Sequence, residues 1–395
     1  EPADVYVINT CTVTGTADRK SRQMVRRAGR RDPKAIVAVV GCWPQVAVDK
    51  VQELPEVDVI IGTAERSQVV DLVEEAERTK HRVQKVVPVR QERKFEELPP
   101  DYSTHTRAFL KIQDGCNQFC SYCIIPYARG PVRSRPLQQV VRAAEELVRQ
   151  GYKEIVLTGI HLGLYGSDFS PPIDLTAPLK LLEKVPGLER IRLSSLDPAE
   201  VIPEIVQLVA ASSKICPHLH IPLQSGSTRI LERMRRPYTA EEYLELVRAV
   251  RQAVPDVGLT TDIMVGFPGE TEEDFASTVQ VVEAAAFSRL HVFPYSPRPG
   301  TPAAGFPEQV PSWVKEDRSQ RLISLGHRLA LNFHQQHLGR ELAVLVEQEH
   351  EEGLLAGYSD NYVRVRFPGD DSLINQIVPV TVTAAAEDYV HGELK

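Results

Sequence analysis

No stretch of this sequence approaches the roughly 20 consecutive apolar residues that a membrane-spanning helix requires, and the N-terminus carries no charged-then-apolar leader. From these absences the chain is expected to be soluble and cytoplasmic, with no membrane partner. There is no internal repeat of solenoid period and no low-complexity tract. Cysteine is scarce, with six in 395 residues. That rules out a disulfide-stapled scaffold and favours metal or redox chemistry. Positive charge is in deficit as well, with 46 Lys and Arg against 53 Asp and Glu and a net charge of -7. The chain also lacks an initiating methionine. It opens Glu1-Pro2-Ala3 and enters an apolar strand within a few residues, so its true start is expected upstream.

At roughly 150 residues per domain, this length predicts two or three folded units. The 42% hydrophobic and 25% charged content is ordinary for globular chains. Residues 1–92 alternate short apolar runs (Val5 to Ile8, Ala35 to Val40, Val57 to Ile61) with helical stretches such as Ala17 to Arg30, the pattern of a doubly wound α/β domain. Residues 93–106 contain the unperiodic Leu98-Pro99-Pro100-Asp101 and read as a linker. Over 107–335 the alternation restarts and gives six β/α units, hence a partial (β/α)6 barrel. Its expected strands are Ala108 to Ile112, Glu154 to Leu157, Arg190 to Leu193, Leu219 to Leu223, Gly258 to Val265 and Arg289 to Phe293. Capping boxes are expected at Thr239-Ala240-Glu241-Glu242 and Thr271-Glu272-Glu273-Asp274. Residues 336–395 switch to short alternating strands, Leu342 to Val346, Tyr362 to Phe367 and Gln376 to Thr383, and predict a small antiparallel β-barrel.

The chemistry is concentrated in Cys116-Asn117-Gln118-Phe119-Cys120-Ser121-Tyr122-Cys123, a C-x3-C-x2-C cluster directly after the first barrel strand. A structural zinc takes four ligands, whereas three thiolates can hold a 4Fe-4S cluster and leave one iron open. A zinc completed by a distant histidine is the alternative. Ligands of such barrels gather where strands end, and that is where this loop lies.

With Tyr122 just before its last cysteine, the motif resembles the radical S-adenosylmethionine superfamily. Three longer stretches extend the likeness: Gly115-Cys116 through Pro126-Tyr127-Ala128-Arg129-Gly130, His220-Ile221-Pro222-Leu223-Gln224-Ser225-Gly226-Ser227, and Gly266-Phe267-Pro268-Gly269-Glu270-Thr271. Together they are similar to the methylthiotransferase family. Thr158-Gly159-Ile160-His161-Leu162-Gly163 and Asn9-Thr10-Cys11-Thr12-Val13-Thr14 are most similar to the branch that acts on N6-threonylcarbamoyladenosine beside the anticodon of tRNA. The resemblance implies an N-terminal cysteine-bearing domain, a radical barrel, and a C-terminal OB-like barrel of the TRAM type that binds RNA. It implies two 4Fe-4S clusters and S-adenosylmethionine as cofactors. The Cys116, Cys120 and Cys123 cluster would pass an electron to S-adenosylmethionine and release a 5′-deoxyadenosyl radical. Cys11 and Cys42, each ending a strand, would bear the second cluster, with a third family cysteine upstream of Glu1. The implied partners are a tRNA anticodon stem-loop and an electron-donor protein, not DNA. Within the family, isopentenylated adenosine and a ribosomal protein aspartate are the alternative substrates.

The remaining candidates are positional. Tyr122 is expected near the cofactor's adenine or merely packed in the loop. Strand alternation puts His218, His220, Pro222 and Gln224 on one face, making Gln224 a cofactor contact or a buried structural amide. Gly159 would let backbone approach the cofactor, and Ser195 and Asp262 lie at or near strand ends. His161 reads as a satisfied loop histidine or a substrate contact, and Cys216 as an ordinary thiol. Between Arg19 and Lys34 eight basic residues face one acid. With Arg129, Arg133 and Arg135 they form either a phosphate-binding surface or a solvated face. In the last sixty residues eleven Asp and Glu outnumber four Lys and Arg. There Tyr362, Arg364 and Arg366 are expected on an RNA-facing side, with Val363, Val365 and Phe367 in the core.

Overall fold

The computed structural model describes residues 3–97, 106–351 and 353–394. The expected linker 93–106 therefore lies largely outside the described residues. Packing divides the chain into two compact units that do not follow chain order. The first comprises Glu1–Leu98, Asp114–Arg133 and Ser296–Phe306; the second comprises Pro99–Gln113, Ser134–Tyr295 and Pro307–Lys395.

The first unit is built on a parallel sheet of β1 (Val5–Thr10), β2 (Ile36–Gly41), β3 (Val59–Ile61) and β4 (Val83–Lys85), in that order. Alternate residues of β2 serve opposite layers, which is why it reads as an unbroken apolar run. Val37 and Val39 pack with Val25 and Ala28 of helix Gly15–Arg31 and with Trp43. Ala38 and Val40 pack with Leu72, Val73 and Ala76 of helix Val69–Thr79. Helices thus cover both faces, as the doubly wound reading requires, although the strand order never reverses. Helix Gly15–Arg31 starts where the Thr14 hydroxyl accepts a hydrogen bond from the Ala17 N–H at 3.1 Å. It ends with Arg30 and Arg31 at the negative pole of its dipole.

In the second unit β5 (Ala108–Lys111), β6 (Glu154–Thr158) and β7 (Arg190–Leu193) form one parallel sheet. A second consists of β8 (His218–His220), β9 (Gly258–Val265) and β10 (Arg289–Pro294). Bridges Ile191–Ile215 and Ser195–His220 join them into the six-stranded partial barrel read from the sequence. Leu110, Ile155, Leu157, Ile191, Leu193, Leu219, Leu259 and Ile263 point into the core beneath the helices. The opposite parity therefore lines a polar interior with Glu154, Arg192, His220, Thr260 and Asp262. Both expected capping boxes form.

The last strands, β11 (Glu341–Glu351), β12 (Leu354–Ser359), β13 (Arg364–Phe367), β14 (Ile377–Ala385) and β15 (Val390–Leu394), close into a barrel in the order 11-12-13-15-14. Val363, Val365 and Phe367 enter its core as expected. β12 and β15 escape the sequence pattern. Each carries a glycine, and a side chain at Gly357 would meet the Leu345 carbonyl at 2.3 Å.

The turn between β12 and β13 anchors this barrel to the larger one. Arg192 donates to the carbonyls of Asp360 (2.8 Å) and Ser359 (3.2 Å), and Arg190 to that of Ala343 (2.6 Å). Tyr362 takes a left-handed φ of 72°. Its ring lies 4.6 Å from His218 and 4.8 Å from Tyr358, with the Arg192 guanidinium 4.6 Å away. Tyr362 nevertheless lines one cleft with Arg364 and Arg366 while Val363, Val365 and Phe367 are buried, so the expected alternation holds through the positive φ. No helix of the described residues is long and apolar enough to cross a membrane.

Candidate metal and cofactor site

In the first unit, β1 and β2 are adjacent and parallel, with Thr10 paired to Gly41. Cys11 and Cys42 are the next residues on the two chains, one strand spacing of about 4.8 Å apart in backbone terms. Gly41 permits this approach. Its φ is 107°, and a Cβ there would lie 2.7 Å from Asn9 Oδ1 and 2.8 Å from the Thr10 carbonyl. Cys11 is exposed and Cys42 buried. The Val13 N–H donates to Cys11 Sγ at 3.4 Å. Burial pushes the Cys42 thiol up, and the Arg129 guanidinium beside it pulls partly back.

The loop with the other three cysteines belongs to the same unit. Gly115 opens it with φ 75°, and a side chain there would sit 1.9 Å from the Pro131 carbonyl oxygen. The Cys116 N–H donates to the Gly130 carbonyl at 3.0 Å and the Cys123 N–H to that of Cys120 at 3.0 Å, which coils the segment. The Gln118 N–H donates to Cys116 Sγ at 3.3 Å. Among the described residues no three of His, Cys, Asp and Glu are grouped to hold a single metal ion. The donor set fits a wider body: thiols supported by backbone N–H groups are the ligands an iron-sulfur cube takes. Tyr122 is half-buried within the loop.

Two structural ties in this unit escaped the sequence reading. Segment Ser296–Phe306 links both cysteine regions: Arg298 donates to Thr12 Oγ1 (2.7 Å) and pairs with Asp18 (2.6 Å), while the Ala303 N–H donates to the Ser121 carbonyl (2.8 Å). Thr63 Oγ1 donates to the Ala128 carbonyl at 2.6 Å. Only proximity in the fold reveals either. Asp114, 1% exposed, gathers Arg129 at 3.2 Å, Arg133 at 3.5 Å and Arg66 at 4.0 Å. Arg129 and Arg133 are therefore committed to a buried carboxylate and are not the surface phosphate ligands expected of them. Arg26, Arg27, Arg30 and Arg31 of helix Gly15–Arg31 do line a surface hollow, with Gln23.

The cofactor candidates of the second unit sit in several settings. Gln224 follows β8, which stops at His220, so the shared face expected from His218 to Gln224 does not continue. Gln224 takes φ 64° and is 8% exposed, and its amide oxygen is buried without a hydrogen-bond partner. Its backbone is fixed by Asp262 and Met264, each at 2.9 Å. Asp262 lies in the middle of β9 rather than at its end and faces His220 Nε2 at 3.3 Å. Ser195 is exposed just past β7. Gly159 follows β6, but the close approach that requires glycine there comes from Gln113 Oε1, 2.8 Å from an added Cβ. His161 Nε2 lies 2.6 Å from Glu200, the satisfied loop arrangement. Cys216 is fully buried, and burial pushes its thiol up to about 12, as for an inert thiol.

A family model described as the radical SAM superfamily matches residues 110–282. One described as uncharacterized protein family UPF0004 matches residues 1–62, and a TRAM domain matches 335–395. Over 398 residues, 100% of this chain and 88% of the relative, the sequence is 43% identical to the threonylcarbamoyladenosine tRNA methylthiotransferase MtaB of Bacillus subtilis. It is 39% identical, over 100% of the chain and 90% of the relative, to the tRNA-2-methylthio-N(6)-dimethylallyladenosine synthase of Pelotomaculum thermopropionicum. The radical S-adenosylmethionine methyltransferase TsrM of Kitasatospora setae, solved with tryptophan and a cofactor analogue, shares the fold with a TM-score of 0.56 at 16% identity. That match covers 89% of this chain and 69% of the solved one.

Proposed function

We propose that this chain, which belongs to the radical S-adenosylmethionine methylthiotransferase family, attaches a methylthio group to carbon 2 of N6-threonylcarbamoyladenosine beside the anticodon of tRNA. The observation that carries the reading is the 43% identity, over the whole chain, to a relative named for that nucleoside. The gathering of Cys11, Cys42, Cys116, Cys120 and Cys123 in one compact unit supports it.

Carbon 2 of a purine is not nucleophilic, so proton transfer alone achieves little there, and the hard step falls to cofactors. Cys116, Cys120 and Cys123 would hold a 4Fe-4S cluster with an open iron for S-adenosylmethionine, and Cys11 and Cys42 would be two ligands of a second cluster. When bound, these groups supply a one-electron cleavage of S-adenosylmethionine to a 5′-deoxyadenosyl radical, and a source of sulfur. The chain's own residues position and shield. The backbone N–H groups of Val13 and Gln118 donate to ligand sulfurs, and Gln224 offers an unpaired amide oxygen for a cofactor donor. Tyr122, Gly159, Ser195 and Asp262 would complete that cofactor's surroundings. The target base must leave the anticodon-loop stack to be reached. An electron-donor protein in the cytoplasm would reduce the first cluster.

The 39% identity to a dimethylallyladenosine-type relative favours a second reading, in which the target is the isopentenylated nucleoside. Nucleoside mass spectrometry of tRNA from a deletion strain separates the two. Loss of the methylthio form with accumulation of N6-threonylcarbamoyladenosine supports the first reading, and loss of the methylthio-isopentenyl form supports the second. If neither is lost, a tRNA role is rejected. Anaerobic metal analysis tests the clusters: iron with sulfide supports them, and one zinc without sulfide overturns them.

A further inference from the structure

We propose that Arg129 is a positioning residue of the second cluster: its guanidinium donates a hydrogen bond to a sulfur of the group that Cys42 ligates, and its fixed charge raises that group's reduction potential. The inference rests on the second-cluster reading above and adds to it a residue beyond the cysteines. Cys42 opens the short helix Cys42–Val46, Arg129 closes the short helix Ile125–Arg129, and the two helices pack together in the first unit. The Arg129 guanidinium thereby lies beside the Cys42 thiol, acting on it both as a charge and as a donor.

The side chain is fixed where it stands. Arg129 Nη1 donates to Asp114 Oδ2 at 3.2 Å, and Asp114 Oδ1 accepts from the Gly115 N–H at 2.8 Å. Arg133, on the same carboxylate, donates to the carbonyls of Arg129 (2.8 Å) and Pro131 (3.2 Å) and so holds the turn that follows. Gly130 takes φ 72° in that turn, where a Cβ would lie 2.3 Å from the Val89 carbonyl oxygen. One donor of Arg129 is left over: its Nε is buried and has no hydrogen-bond partner. Such a group costs free energy in a native fold unless an acceptor reaches it. Charge leads to the same place. Asp114 and Glu96 are two carboxylates for three guanidiniums, Arg66, Arg129 and Arg133, with Arg66 paired to Glu96 at 2.7 Å. A positive charge therefore stays unbalanced beside Cys42, and a thiolate-ligated cluster is an anion that offsets it. Hydrogen bonds to the sulfurs and nearby charge set the potential of such a cluster. A cation favours the more negative, reduced form, so the shift is upward. Arginine suits the position because its planar fork can hold Asp114 with one nitrogen and offer another to sulfur.

The test uses the full-length protein in a C116A/C120A/C123A background, so that anaerobic reconstitution loads the second cluster alone, and follows its reduction by EPR-monitored redox titration. R129Q should lower the ratio of reduced to oxidised cluster about tenfold at a fixed poise, a shift of about 59 mV for one electron, with iron and sulfide content near that of the background. R129K keeps the charge but has one nitrogen to divide between Asp114 and sulfur, and should recover part of the shift. A merely structural role gives less cluster with an unmoved midpoint, and that result overturns the inference. If R129Q loads no cluster, R129K decides, and an unmoved midpoint there overturns it too. In the reciprocal C11A/C42A background, a larger shift of the first cluster would assign Arg129 to that cluster and overturn the inference while leaving both clusters in place. Failure of the starting background to bind iron and sulfide with Arg129 intact overturns the second-cluster reading itself.

Discussion

Glu154 is fully buried at the start of β6, where burial alone would push its carboxyl up. The Arg192 guanidinium, bonded to it at 2.6 and 3.4 Å and backed by Arg107 and by Arg190 at 3.7 Å, more than reverses that and holds the group below the usual carboxylate range. Glu154→Gln keeps the shape and one acceptor but leaves the buried guanidiniums without their anion. Removing one partner of a buried pair costs about 3–5 kcal/mol. The retained amide oxygen argues for the lower end, about 3 kcal/mol, or roughly 6–12 °C of melting temperature in a unit of this size. The pH dependence has a definite sign. A carboxylate with a depressed folded-state pKa stabilises above its unfolded value of about 4.3. That contribution disappears as pH falls through the folded-state pKa. The gap between wild type and Glu154→Gln should hold at neutral pH and narrow below about pH 4.3. Calorimetry of the full chain at several pH values measures both. A loss under about 1 kcal/mol, within the ordinary range of point mutants, or a gap indifferent to acid, would refute the account.

Three further outcomes are expected. Gly115→Ala forces a Cβ against the Pro131 carbonyl at 1.9 Å with φ at 75°; anaerobic reconstitution should then load fewer than half the wild-type irons, and normal loading would show that the loop's shape does not depend on this glycine. Gln224→Ala should leave the melting temperature near wild type while weakening S-adenosylmethionine binding about tenfold, the worth of one hydrogen bond to a charged group; equilibrium dialysis giving an unchanged Kd would remove Gln224 from the cofactor site. The quadruple variant R26A/R27A/R30A/R31A removes the exposed basic face of helix Gly15–Arg31. Its stability should shift by no more than about 0.5 kcal/mol per site, with a salt slope for stem-loop RNA lower by roughly 0.7–0.9 for each phosphate the helix ceases to neutralise; an unaltered slope would make it a solvated face only.

Elements carried by strong periodicity were legible: β9 falls on Gly258–Val265 as read, and both capping boxes form. So was the placement of Cys11 beside Cys42, because parallel neighbours with apolar β2 between two helix layers leave few registers. What failed did so where one residue leaves the regular backbone. Gln224 has positive φ beyond the end of β8, which cancels the parity argument that placed its side chain. Asp262 lies three residues before the end of β9 and faces His220 across the sheet, a pairing that chain order does not show. The tie made by Ser296–Phe306 could not be read at all. Arg298 meets Asp18 across 280 residues of chain, and neither residue carries a motif.

Charge was the least legible feature, and the structure explains why. Arginines close together in sequence have different fates depending on whether a buried carboxylate competes for them. Arg129 and Arg133 follow the cysteine loop, where a phosphate-binding role is an easy inference. Asp114, with its side chain 2% exposed, neutralises them first, and releasing one to RNA would strand a buried anion at a cost of several kcal/mol, of order 3–5. Arg190 and Arg192 are committed to Glu154 in the same way. Helix Gly15–Arg31 has only Asp18 as a carboxylate, and Arg298 already holds it. The basic face that follows has no internal anion on its own helix. A chain with net charge -7 can therefore still grip a polyanion, because affinity depends on the cations left unpaired by the fold and not on the overall sum.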